Sequence, residues 1–153
     1  MRKYLLALLT LLGMAPIAYA QQAVQQQPSH LDAATVTQST TAAVNTAATL
    51  TLPAVAGKYH QISLISLMLC QDTTASTSLQ LAVTSSNLGG WNTQIGQASA
   101  AGSCSQFTYQ FPLGLMSSAT GTATTIVIPQ PGAHGAPIIN AFYSVVAGVP
   151  GNQ

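Results

Sequence analysis

The side chains able to move protons, attack carbon or hold a metal are few: Asp32, Asp72, His30, His60, His134, Lys58, Cys70 and Cys104. General acid–base chemistry of the two-carboxylate kind would have to pair Asp32 with Asp72, because the chain contains no Glu. Asp32 reads as lying at the arm boundary and Asp72 in a turn, where a carboxylate caps nearby backbone N–H groups. His30-Leu31-Asp32 with His60 or His134 makes no recognised ligand spacing, and two thiols fall short of a zinc site. His60 reads as flanking a strand start, and His134 as a solvated loop residue among Gly and Pro. No G-x-S-x-G elbow is present, and Gly57 and Gly89-Gly90 lack the pattern of a phosphate-binding loop. The expectation is no catalytic residue, no cofactor and no metal.

The charge balance narrows the field further. Arg2 and Lys3 precede an apolar run, Leu5 to Leu12, and a small-residue pattern, Ala18-Tyr19-Ala20, which reads as a secretory signal over residues 1–20. Removing it leaves 133 residues with Lys58 against Asp32 and Asp72, a net charge of −1. Without a cluster of Lys or Arg, phosphate neutralisation on nucleic acid is excluded, as is attraction to an anionic membrane surface. No later stretch is long and apolar enough to span a bilayer. Ser, Thr, Asn and Gln contribute 51 of the 133 residues, wetting the surface without long-range fields. Little repulsion between copies favours a homo-oligomer. An even cysteine count in an exported chain points to a Cys70–Cys104 disulfide, two buried free thiols being the other reading.

The elements that position these groups follow from period-2 patterning. Residues 21–32 form a Gln-rich arm, 33–148 one domain and 149–153 a tail, with a weak first strand from about Ala33. Ala48, Leu50 and Leu52 alternate with Thr49 and Thr51, and Pro53 places that strand at an edge or an end. After a Gly57-Lys58 turn, the apolar parity switches between Ile62, Leu64 and Ile65, Leu67, Leu69, which predicts a bulge or burial on both faces. Leu79, Leu81 and Val83 share a face. A short strand starts at Trp91, Phe107, Tyr109 and Phe111 alternate in a strand ended by Pro112, and strands follow within residues 121–129 and 138–146. Phe142, Tyr143 and Trp91 join the Phe107 group as expected core anchors. Seven to eight short strands without helical periodicity predict an all-β antiparallel sandwich or barrel. Trp91, beside Asn and Gln, is either a stacking platform for a neutral glycan or a partly buried sandwich residue.

Ala56-Gly57-Lys58-Tyr59-His60, Trp91, Phe111-Pro112-Leu113, Gly121-Thr122 and Asn140-Ala141 occur in the order found in a group of small tailed-phage virion proteins. By these phrases the chain resembles that group over roughly residues 33–147. The resemblance implies a jelly-roll sandwich in a structural or decorating role, with no catalysis, and a virion or cell-surface protein as a further partner. The export signal and the cysteine pair equally admit an exported bacterial or prophage-derived protein that reuses the sandwich, periplasmic or extracellular. A secreted module for neutral glycans is the competing class. Lys58 reads as a solvated charge guarding an apolar edge strand.

Overall fold

The structure is a computed structural model and describes residues 35–75, 79–97 and 100–147. Eight strands run in chain order: β1 (Val36–Thr41), β2 (Ala48–Leu52), β3 (Lys58–Gln71), β4 (Gln80–Ser86), β5 (Thr93–Gly96), β6 (Cys104–Met116), β7 (Thr124–Ile128) and β8 (Gly135–Ala147). They form two four-stranded antiparallel sheets ordered β1-β8-β3-β6 and β2-β7-β4-β5. That order is the eight-stranded jelly roll. The expected signal, arm and tail, residues 1–20, 21–32 and 149–153, lie outside the described residues.

Alternation explains which side chains make the core. Ala48, Leu50 and Leu52 of β2 point inward, as do Leu81 and Val83 of β4, and Thr49, Thr51, Ala82 and Thr84 point out. Leu79 precedes β4 and is exposed. Ile126 and Ile128 of β7 meet Ile139, Ala141 and Tyr143 of β8 in one buried cluster with Leu67 and Leu69. Each fully buried Leu or Ile contributes about 1.5–3 kcal/mol of transfer free energy, and the cluster contains no ionised group.

The parity switch in β3 is a bulge. Ile62 pairs with Tyr143 and Leu64 with Phe142, so Ser63 has no opposite number on β8. Ser63 uses its hydroxyl to bond the carbonyl of Phe142 at 3.1 Å. The extra residue keeps Ile62 and Ile65 both inward across a change of parity. On the other side of β3 the pairing jumps from Leu64–Gln110 to Ile62–Leu115, so residues 111–114 of β6 loop out opposite the same point.

Three expectations are corrected here. Pro112 does not end its strand: β6 runs on to Met116, because β6 is an edge and its outward loop has no ladder bond for proline to break. Lys58 does not guard an edge; it opens β3, a central strand, and its carbonyl accepts from Gly121 N at 3.0 Å. Phe142 is no core anchor, since its neighbour Tyr143 takes the inward position and Phe142 is left 37% exposed on the outer face. The last strand also begins earlier than its apolar run, with Gly135, Ala136 and Pro137 already part of β8. The Pro137 carbonyl accepts from Ala42 N at 3.0 Å, just past the end of β1, so the missing N–H costs no ladder bond.

Cys70 and Cys104 are directly opposite one another at a Cα separation of 4.0 Å and form a disulfide. It ties β3 to β6 where the chain leaves for β4 and β5 and returns. Closing a loop of sequence separation 34 is worth about 3–4 kcal/mol on the chain-entropy account.

Candidate functional site

The histidine and aspartate side chains of the described residues fall at opposite ends of the sandwich. At one end is His60, third residue of β3, which the alternation of β3 turns into the interior rather than to the strand's flank. Its Nε2 lies 2.9 Å from the Pro53 carbonyl. A carbonyl only accepts, so Nε2 carries the proton in this bond. In that tautomer Nδ1 accepts from the Thr124 hydroxyl at 2.9 Å, and Thr124 Oγ1 accepts from Asn87 Nδ2 at 3.2 Å. The Tyr143 ring meets the imidazole edge-on at 5.6 Å between centroids. Both ring nitrogens are therefore occupied in holding β2, β3 and β7 together.

Asn87 is the residue that sequence reasoning missed at this end. Its backbone adopts φ +58°, which Asn tolerates better than most residues, so the turn after β4 can fold back. Its side chain then clamps the 117–123 loop: Oδ1 accepts from Ala119 N at 2.7 Å and Nδ2 donates to the Thr122 carbonyl at 3.1 Å. Ser117 donates its N–H to the His60 carbonyl at 2.8 Å and its Oγ accepts from His60 N at 3.0 Å. The available signal was Asn immediately before Leu-Gly-Gly, a turn composition.

At the other end, beside the disulfide, His134 Nδ1 donates to Asp72 Oδ2 at 3.0 Å. The two side chains are each one-third exposed and form an ion pair whenever the imidazole is protonated. Asp72 Oδ1 also accepts from Thr74 N at 2.7 Å, the turn-capping role expected of it. The hydrogen bond from His134, then that from the Thr74 backbone, hold the Asp72 carboxyl below its ordinary range. Main-chain bonds fix the pair, with Asp72 N donating to the His134 carbonyl at 3.0 Å and Gly102 N to the Asp72 carbonyl at 2.6 Å. His134 is thus a cross-strand partner rather than a merely solvated loop residue. Nearby, the buried amides of Gln71 and Gln97 have no hydrogen-bond partner among the described residues. Gln71 faces Gly135 across the ladder, and the Gln97 Nε2 lies 2.6 Å from where a Gly135 Cβ would stand. A side chain there would press on the Gln97 amide and on the Pro131 ring.

Trp91 lies in the turn before β5, not in the strand, and is half-buried. Its ring meets Tyr109 and Phe111 edge-to-face at centroid distances of 5.6 and 6.2 Å. Its carbonyl accepts from the Ser85 hydroxyl, and Thr93 and Tyr109 share a hydroxyl bond of 2.8 Å. The aromatic group closes the seam between edge strands β5 and β6, with Phe107, Tyr109, Phe111 and Trp91 half-buried against the core.

His60 is separated from the Asp72–His134 pair by most of β3, and His30 and Asp32 lie outside the described residues. No three His, Cys, Asp or Glu side chains gather among the described residues, and no helix among them is long and apolar enough to cross a membrane. No protein-family model matches the sequence, and no curated protein matches it.

Two outcomes follow. Replacing His60→Ala strands the Pro53 carbonyl and opens a buried void, and lowers unfolding free energy by about 2–5 kcal/mol in denaturant titrations. A loss below about 0.5 kcal/mol contradicts the structural role given to the imidazole. A carboxyl depressed in the folded state stabilises above its unfolded pKa of about 3.9, and that stability is lost as pH falls through the lower folded value. Wild type therefore loses stability relative to Asp72→Asn as pH drops below about 4; unfolding midpoints that stay parallel for the two proteins contradict this assignment.

Proposed function

We propose that the chain is an exported, non-enzymatic structural or assembly protein, of the kind that serves as a decoration-type subunit on a tailed-phage or prophage-derived particle or on a cell surface. The observation that carries this reading is how the ionisable groups are used. His60 has both nitrogens engaged inside the sandwich, and Asp72 and His134 are bound to one another at its far end. The one hydroxyl on an imidazole nitrogen, that of Thr124 on His60 Nδ1, is fully buried and also accepts from Asn87, so it is not presented to a substrate. What remains for recognition is a neutral surface of hydroxyls, amides and apolar side chains, which acts by shape and hydrogen bonding.

Export is supported by the pattern in residues 1–20 and by a disulfide of the kind that persists in oxidising compartments. The jelly roll and the order of short phrases shared with phage virion proteins support the assembly role over a solitary one. The glycan-module reading is weakened by Trp91, whose ring is engaged with Tyr109 and Phe111 in closing the seam.

Native mass measurement of the purified mature chain separates these readings. Discrete oligomers are expected; a monomer that binds neutral glycans and loses that binding in Trp91→Ala establishes the module instead.

A further inference from the structure

We propose that the outward face of the β1-β8-β3-β6 sheet is a self-docking surface, covered face to face by a second copy of this chain. The proposal rests on the assembly reading above and assigns it a surface.

The two sheets differ on their outer sides. The second sheet is nearer a solvated face, with Thr49, Thr51, Thr84 and Thr125 pointing out and Val127 and the small Ala82 as its apolar exceptions. The first departs from that pattern along its two central strands. Phe142 lies opposite Leu64 and Ile138 opposite Met68, and all four point away from the core, on the parity opposite to the buried Ile139, Ala141, Leu67 and Leu69. The Ser63 bulge is what turns Leu64 outward. The flanking strands answer with neutral polar residues: Thr37 pairs with Phe142 from β1, and Gln110 with Leu64 from β6. The neutral pair Ser66–Asn140 lies between these two apolar pairs, so the face is an interrupted apolar strip inside a polar rim. Apolar residues at the centre with polar ones around them are the anatomy of a protein interface.

Charge selects the occupant. β3 and β8 carry no ionised side chain on this face, Lys58 sharing the inward parity of His60 and Ile62. A charged partner would bury an unpaired charge against it, which is costly. A copy of the chain brings a neutral face with the same apolar centre and the same Thr/Gln rim, and a two-fold axis places centre on centre and rim on rim. The size is sufficient. β3 and β8 have 14 and 13 residues. At about 3.4 Å per residue and about 4.8 Å between strands, they and their flanking strands present roughly 750 Å² per copy, within the roughly 600–1,000 Å² per partner of a specific complex.

The test uses the mature, disulfide-bonded chain. Association is followed by native mass against concentration for wild type, Phe142→Lys, Met68→Lys and the second-sheet control Thr84→Lys, with circular dichroism as the check on folding. About tenfold to a hundredfold weaker association is expected for the first two variants, and none for the control. In wild type, peroxide oxidation of Met68 is expected to be slow in the oligomer and fast after dilution, a readout that holds even where a variant fails to fold. Association that survives both folded face variants overturns the choice of face and leaves the assembly reading standing. A wild type that is monomeric at every concentration overturns both. Met68 protection that persists in the diluted monomer shows the face covered within one chain, and also overturns the proposal.

Discussion

Apolar burial between two sheets, with no ionised group inside, is the interaction on which everything else in this molecule depends. Leu50, Leu52, Ile126 and Ile128 from one sheet press on Ile62, Ile65, Leu67, Leu69 and Ile139 from the other, all of them essentially inaccessible to water. Such burial has no direction of its own, so the specificity of the fold must come from register. Two devices set it. The Ser63 bulge keeps a 14-residue strand in phase with a two-sheet core, and the Cys70–Cys104 bridge pins β3 against β6 at the far end.

The polar groups then work at the ends, where strands stop and backbone groups need partners. His60, Thr124 and Asn87 tie the turn after β4 and the loop before β7 to the mouth of the core. Asp72 and His134 extend the β3–β8 ladder by one more cross-strand pair. A chain with so few ionisable side chains has placed those of its described domain, Lys58 apart, where they hold structure. That placement is the physical support for the proposed role in contact rather than turnover.

Period-2 alternation was enough to read an all-β sandwich or barrel, while the jelly-roll order depends on long-range pairing and was expected only from the resemblance. Ala48, Leu50 and Leu52 announce one buried face, and the parity switch after Ile62 announces the bulge, because both are local properties of a pleated strand. The cysteine pair was legible from its even count and the expected export. What was not legible depends on partners distant in sequence. His60 is buried because Pro53, Ser117 and Thr124 converge on it, the last two 57 and 64 residues away. The Asp72–His134 pair spans 62 residues, and nothing local to either residue signals it. Pro112 looked like a terminator because its tolerance depends on β6 lying at an edge, a fact of topology. Phe142 and Tyr143 are adjacent and must point to opposite sides, but only the register with β3 decides which is inside.

The neutral outer faces follow from the same economy: with almost no charge to spend on solubility, one sheet is wetted by threonines while the other keeps Leu64, Met68, Ile138 and Phe142 on its surface. The central claim is that this chain works by uncharged contact with other copies. Sedimentation velocity of the mature protein over a range of concentrations, at salt from about 0.05 to about 0.5 M, tests it most directly. The account predicts a sedimentation coefficient that rises with concentration and is not lowered by salt. A coefficient that stays at the monomer value throughout, or association that salt dissolves, contradicts it.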